Sequence, residues 1–308
     1  GLELAFLNNR LKVNADLYRN TTDNLLSEMY LPLANGFPSY TANIGEVRNS
    51  GLELSASGFL IRNTEKNIIW SLSASMIYEK NEIVKISDAL KIANEELEAK
   101  GGSNPNFLYR EGEALRTIYV VPSLGIDPST GKELYLDRFG NVTYVWDARD
   151  KRACGVEEPK YRGNINTMFT WRDLSVNLSF GYRLGGHLYN STLIDRVENA
   201  NVLYNVDKRV YDERWRNPGD RTFFKDIKDK TATQMTSRFV QKENTLECQN
   251  VQLKYDFTQK WVKSYLGMQH LSVAFSTDNL FRVSTIKQER GIVYPFSRRF
   301  TFSLSAIF

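Results

Sequence analysis

The sequence predicts an all-β fold, an antiparallel transmembrane β-barrel, and three observations carry that prediction. The first is the closing stretch, residues 297–308. Phe300, Phe302, Leu304, Ala306 and Phe308 fall on one face of an extended strand. Arg299, Thr301, Ser303 and Ser305 fall on the other, with Ile307 the one apolar exception. A fraying tail in water buries little, so a soluble chain has small reason to stop on an aromatic strand. A strand that closes a barrel meets lipid with its apolar face and has both edges paired. The second observation is that the same two-residue period recurs in segment after segment. The third is that the connections between these segments alternate between short and long. Barrels of the outer membrane have that asymmetry, with tight periplasmic turns and long extracellular loops.

The elements follow in order. Leu2, Leu4 and Phe6 open the pattern, and Asn8-Asn9-Arg10 reads as a turn. Leu11, Val13, Ala15 and Leu17 then oppose Lys12, Asn14, Asp16 and Tyr18. Residues 21–50, with Pro32 and Pro38, are expected to form a long loop. Leu52, Leu54, Ala56 and Leu60 alternate with Glu53, Ser55 and Ser57, and residues 62–67 turn the chain. Ile68, Trp70, Leu72, Ala74, Met76 and Tyr78 oppose Ser71, Ser73 and Ser75. A long insertion over 79–161 follows. It holds a helix-like patch at 87–100 and a turn signal at 125–132, which implies an internal hairpin with Glu133–Leu136 as second arm.

The clearest hairpin comes next. Ile165, Thr167, Phe169 and Trp171 lead into an Arg172-Asp173 turn, and Leu174, Val176, Leu178, Phe180 and Tyr182 return with Ser175, Asn177 and Ser179 opposite. Another long loop spans 184–244. Leu246 and Cys248 are out of phase with Val251, Leu253, Tyr255 and Phe257, which a β-bulge explains. After a medium turn at 258–269, Leu271, Val273, Phe275 and Thr277 form the penultimate strand. The closing strand follows a loop with Gly291 and Pro295. The total is about nine strands. The alternation of connections sends the closing strand inward and leaves the C-terminus in the periplasm. Nine strands do not close an even-stranded bacterial barrel, and the chain opens at Gly1 in mid-pattern. Residues 1–308 are therefore expected to be the C-terminal part of one barrel domain, the remaining strands belonging to a preceding part.

Composition narrows the function classes. The 308 residues are 42% hydrophobic and 12% aromatic, with 17 Phe and 16 Tyr, a richness suited to interfacial girdles or sugar-facing surfaces. No run approaches the ~18 apolar residues of a spanning helix, which excludes a helical membrane protein and leaves a barrel open. A net charge of +4 gives no footprint for nucleic acid. Cys154 and Cys248 could pair, but spacing does not supply the geometry. His187 and His270 share no metal-ligand spacing, so no metal and no cofactor is expected. No catalytic constellation appears: acidic pairs such as Glu157-Glu158 and Asp212-Glu213 sit on charged loops, where solvation is their usual state. The chain is not expected to be an enzyme. The alternative fold is a secreted β-sandwich acting as a carbohydrate-binding module. Against it, Ser, Asn, Thr, Lys and Asp occupy the non-apolar face of nearly every strand, and no long hydrophobic strand offers a sandwich centre.

Several motifs, in this order, resemble the C-terminal portion of the SusC/RagA-type TonB-dependent outer-membrane transporters of Bacteroidetes. They are residues 43–53, the Asp127-Pro128-Ser129-Thr130-Gly131 segment, and Pro159-Lys160-Tyr161-Arg162-Gly163. Arg214-Trp215-Arg216-Asn217-Pro218-Gly219-Asp220, Ser237-Arg238-Phe239-Val240, Asp278-Asn279-Leu280-Phe281 and the stretch from Pro295 to Phe308 follow. Each motif alone is weak; their order makes the likeness specific, and it covers essentially the whole chain. The resemblance implies a barrel of about twenty-two strands plugged by an N-terminal domain. It also implies import of oligosaccharides or oligopeptides across the cell outer membrane, driven by the TonB complex through the N-terminal part. A SusD-like lipoprotein would sit above as a lid, and the barrel-assembly machinery would read the terminal Phe308. The plug, the TonB box and the first barrel strands are absent from these residues.

Candidate site residues follow from chemistry and position. Residues 188–224 set Tyr189, Tyr204, Tyr211 and Trp215 among charges, an arrangement suited to sugar rings or peptide side chains. The competing reading is that these aromatics pack the loop onto its neighbours, and Trp215 in particular as a motif residue. Lys12, Asn14, Asp16 and Asn177 lie on the polar faces of their strands and are candidates to line a passage, or to satisfy one another.

Overall fold

The computed structural model describes residues 1–30, 39–105, 108–287 and 297–308. Pro32, Pro38, Gly291 and Pro295 of the expected loops lie outside the described residues. In chain order the first strands are β1 (Leu2–Phe6), β2 (Leu11–Tyr30), β3 (Ser39–Asn63) and β4 (Ile68–Ile86). An insertion carries α1 (Asp88–Glu98), β5 (Thr117–Val120), β6 (Ser123–Ile126), β7 (Glu133–Leu136), β8 (Val142–Thr143) and β9 (Arg152–Val156). The hairpin β10 (Tyr161–Trp171) and β11 (Leu174–Tyr189) comes next, then α2 (Arg209–Asp212), β12 (Val240–Phe257), α3 (Lys260–Leu266), β13 (His270–Ser284) and β14 (Phe300–Ile307).

Nine of these strands form one sheet in the order β1-β2-β3-β4-β10-β11-β12-β13-β14, every neighbour antiparallel. The expected strand count and hairpin stand. The tight turns owe their shape to left-handed residues: Asn8 and Asn9 in the first, Asn67 in the second and Arg172 in the third have φ of 55°, 64°, 51° and 52°. Asn reaches that region at little cost because its short side chain bonds locally. The expected bulge is present too. Phe180 pairs with Cys248 and Ser179 with Asn250, so Gln249 is the extra residue that brings both apolar sets onto one side.

Three expected loops are partly strand. β2 runs to Tyr30 and β3 starts at Ser39, inside the expected 21–50 loop; β4 continues to Ile86; β11 reaches Tyr189 and β12 begins at Val240. The physical reason is that alternation reports lipid on one side and water on the other. Beyond the membrane both faces of a strand meet water or loops, so the pattern fades while the backbone ladder persists. Register shifts, as between Thr22 and Leu25, absorb the irregularity.

The sided chemistry is continuous across strands. Trp70, Phe169, Val176, Leu253, Phe275 and Phe302 form one lateral row in register. Trp70 and Phe169 meet edge to face at 6.4 Å, and the Phe275 and Phe302 rings pack tilted at 5.0 Å. Phe302 and Leu304 are 76% and 72% exposed. Among the described residues no second sheet lies against them, which removes the sandwich alternative. No described helix is long and apolar enough to cross a membrane. Both cysteines are free, Cys248 buried and Cys154 half-buried.

Strand β10 fits against β4 through Gly163, where an added Cβ would stand 1.9 Å from the Ser75 carbonyl oxygen. Gly163→Ala is expected to force the two strands apart and to cost about 1–3 kcal/mol. A lowered temperature for loss of the compact band on unheated gels would show it; an unchanged transition would sink this account of the β4–β10 junction.

Candidate functional site

The face opposite the lipid row is polar, and its rows are also in register. Lys12, Ser57, Ser73, Asn166, Ser179, Asn250 and Asp278 follow one another across seven strands. Asn14 leads a second row through Ser55, Ser75 and Asn164, and Asp16 pairs with Glu53. Asn177 donates its Nδ2 to Gln252 Oε1 at 3.3 Å. A cavity of about 400 Å³ opens on this face, lined by Lys12, Ser57, Asn166 and Asn177 among others. Higher up the same face is charged. Arg162 bonds Glu79 at 2.8 Å, and Arg282 bonds Glu243 and Glu247 at 2.9 and 3.0 Å. The expected polar-face residues Lys12, Asn14, Asp16 and Asn177 thus share one face.

At the long-loop end the insertions fold into a compact module. It holds the main buried apolar cluster, including Ile118, Val120, Ile194, Phe224, Met235 and Phe239. The module is tied to the polar side of the wall through Asn81, which shares the parity of Ser71, Ser73 and Ser75. Its Oδ1 accepts from the Leu115 amide at 2.9 Å and its Nδ2 donates to Glu158 at 3.0 Å. Helix α1 starts at an Ser87 cap whose Oγ accepts from the Leu90 amide. Its last turn carries no basic residue. Lys151 supplies the cation from a distant loop, donating Nζ to the carbonyls of Leu97, Glu98 and Lys100 at 3.3, 3.0 and 2.6 Å.

Sequence-distant motifs meet inside this module. Asp127 caps the β6–β7 turn. It accepts from the Tyr144 hydroxyl, the Ser129 amide and the Thr130 hydroxyl, and these bonds, Tyr144's first, hold its carboxyl well below the usual range. Gly131 has φ of 73°, and an added Cβ would stand 2.6 Å from the Trp215 ring. Trp215 Nε1 and the Gly219 amide both donate to the Pro128 carbonyl, at 2.8 and 2.7 Å. Arg214 is buried and donates to the carbonyls of Val210, Lys225, Val197 and Glu198.

Arg238 is the centre of the module. Its Nε and Nη2 donate to Glu133 at 3.0 and 2.7 Å, and its Nη1 and Nη2 to Glu198 at 2.5 and 2.8 Å. The three side chains are 3%, 5% and 0% exposed. The Thr236 and Thr233 hydroxyls also donate, to Glu133 Oε1 and Glu198 Oε1, and the guanidinium lies 4.4 Å from the Phe239 ring centre. Burial pushes the Glu198 carboxyl up, yet the hydrogen bonds and charge of Arg238, the Thr233 hydroxyl and the Lys225 charge more than offset it. The carboxyl stays below the usual range. Neither Glu133 nor Glu198 stood out in the sequence. Arg238 did so only as part of a motif, whose Phe239 neighbour was the one hint of a buried position.

The four aromatic candidates separate. Tyr189 is buried against Phe239 and donates its hydroxyl to the Ser103 carbonyl at 2.7 Å. Trp215 is buried under Gly131. Tyr204 and Tyr211 are 75% and 69% exposed. Tyr204 edges a cavity of about 420 Å³ with Asp195, Arg196 and Asn201, and the Tyr211 ring carries Arg216 at 3.8 Å.

Arg238→Met would leave two carboxylates buried without their cation, and is expected to destabilise the module by about 3–5 kcal/mol. In the wild type, Glu198 contributes stability that is full above the ordinary glutamate value and fades as pH falls below it, because folding lowers its pKa. Without the cation the sign inverts, since burial then raises the carboxyl. Limited proteolysis at neutral pH and at a pH below the ordinary glutamate value should show the wild type loosening on acidification and the variant tightening. Parallel pH responses would defeat this reading.

Known proteins share this architecture. A family model described as TonB dependent receptor-like, beta-barrel, matches residues 1–280. TonB-dependent receptor SusC of Bacteroides thetaiotaomicron is 27% identical, over 99% of this chain and 30% of that protein. TonB-dependent receptor P39 of Formosa agariphila is 25% identical, over 91% of this chain and 31% of that protein. A solved structure of the RagAB peptide importer in a closed-closed state superposes with a TM-score of 0.78 at 23% identity, over 99% of this chain and 34% of that one, a likeness of fold. The chain thus spans about a third of the length of the curated relatives it matches. A match of that extent, on a sheet whose two faces carry opposite chemistry, decides the family: this chain belongs to the TonB dependent receptor-like β-barrel family, and its place is the outer membrane.

Proposed function

We propose that the nine strands are the C-terminal arc of a larger plugged barrel, and that the whole protein imports oligosaccharides or oligopeptides. The observation that carries this reading is the polar row from Lys12 to Asp278, set back to back with the lipid-facing row. A wall that is apolar outside and hydrogen-bonding inside suits passage of a hydrated solute. Lys12, Asn14, Asp16 and Asn177 line that passage in this reading. The relatives support it by name, SusC as a TonB-dependent receptor and RagAB as a peptide importer. The TonB complex supplies energy through parts outside this chain, and a SusD-like lipoprotein covers the loop module. The barrel-assembly machinery takes the terminal strand by Phe308. The reading gives the chain no catalytic step.

Of the four aromatic candidates in the module, Tyr204 and Tyr211 are the exposed rings available to a ligand, while Tyr189 and Trp215 serve the frame. Deletion of the full gene is expected to stop growth on one class of oligomeric nutrient, glycan or peptide, and to spare growth on its monomers. Undiminished growth on every oligomer overturns the import reading. In the purified transporter, replacing both Tyr204 and Tyr211 by Ala should weaken substrate binding about tenfold, from ring contacts of ~0.5–1.5 kcal/mol each. Unchanged affinity by calorimetry removes both rings from the site. Removing Phe308 should lower the amount of assembled, heat-modifiable protein in the outer membrane.

A further inference from the structure

Three of the four connections at the short-turn end are tight: residues 7–10, 64–67 and 172–173. The fourth, residues 258–269, is longer than a hairpin needs and folds into α3. Its placement at that end is fixed by the neighbouring turn, since Thr258 Oγ1 donates to Asp173 Oδ1 at 2.9 Å and the Asp256 amide to the Asp173 carbonyl at 2.9 Å. The helix is sharply ended by Gly267, whose φ of 65° and amide bond to the Val262 carbonyl close the last turn.

The side chains of α3 divide by face. Val262 is buried against the protein, whereas Trp261, Tyr265 and Leu266 are 41%, 86% and 44% exposed. Trp261 and Tyr265 stand four residues apart and share one side of the helix. Lys260 and Lys263 are exposed on another, and the segment 258–269 holds two lysines and no carboxylate. The aromatic side continues the lipid face of the wall. Trp261 meets Phe257 edge to face at 6.0 Å, and Phe257 meets Tyr255 at 4.8 Å. Tyr255 lies in the row of Trp171, Leu174, Val273 and Leu304, the last lateral row but one of that face.

We propose that α3 is an interfacial anchor that lies in the headgroup layer of the phospholipid leaflet at the short-turn end, with Trp261 and Tyr265 sunk at the acyl boundary and Lys260 and Lys263 bound to anionic headgroup phosphates. Indole and phenol rings favour that depth because one end is apolar and the other can hydrogen-bond. Lysine stems run along apolar surface while the ammonium stays among phosphates. Continuity with the lipid face and the all-positive charge both favour lipid over an apolar protein groove as the occupant. The inference rests on the outer-membrane placement of the wall.

The test uses the full-length protein in nanodiscs of phosphatidylethanolamine and phosphatidylglycerol, with and without bromine on the acyl chains. The fluorescence difference between wild type and Trp261→Phe isolates that indole, and the compact gel band checks that both are folded. Bromolipid is expected to remove about half of the difference signal. Iodide in the water quenching that signal while bromolipid does not would overturn the proposal, and would place a periplasmic partner or solvent there instead. Trp70 and Trp171 on the wall act as the internal reference: their quenching alongside an unquenched Trp261 would sink the anchor and keep the wall in lipid. In a second arm, the Lys260→Gln/Lys263→Gln double variant should lose the preference for phosphatidylglycerol over phosphatidylethanolamine among lipids co-purified in native mass spectra. An unchanged preference would remove the lysines from the headgroup contact.

Discussion

The rest of the structure depends on the backbone ladder that joins nine strands into one sheet. In hydrocarbon an unpaired amide or carbonyl costs several kcal/mol, so strands can cross only if neighbours satisfy them. Once the ladder sets the register, side-chain parity becomes chemistry. Every odd step faces one solvent and every even step the other, in rows that run unbroken from Lys12 to Asp278 and from Trp70 to Phe302. Where the ladder slips at the extra Gln249, the bulge restores the phase of β12 and keeps Cys248 on the side of Phe180.

A wall built this way has no interior of its own, and the buried apolar cluster lies in the loops instead. That location has a physical cause. The apolar side chains of the wall remain at the surface because lipid is their proper solvent, whereas the loops must exclude water to hold a shape. The loops do so with a small core and with polar centres that are fully paired. Arg238 between Glu133 and Glu198 is the deepest of these, and a buried ion triad with every oxygen satisfied specifies one arrangement of three chain segments. The Pro128 carbonyl, accepting from both Trp215 and Gly219, locks the β6–β7 turn to the 214–220 segment in the same way.

The legible part of the fold was the part governed by period. The β10–β11 hairpin, the bulge, helix α1 with its Ser87 cap, and the β6–β7 hairpin all have local signals. The outer ends of β2, β3, β4, β11 and β12 lacked such signals, because above the lipid both strand faces tolerate the same residues. Among candidate site residues, the polar-face set was legible by parity alone. The aromatic set was not, since Tyr189, Tyr204, Tyr211 and Trp215 look alike in sequence and are sorted only by what packs over them.

By itself the sequence determined which side chains share a face, because strand parity is a local property of the chain and needs no partner to express it. Only the tertiary structure decided which distant groups meet. Arg238 reaches Glu133 across 105 residues and Trp215 reaches Pro128 across 87. No local pattern encodes such contacts, since they arise from the path of the loops once the sheet has fixed where each loop begins and ends.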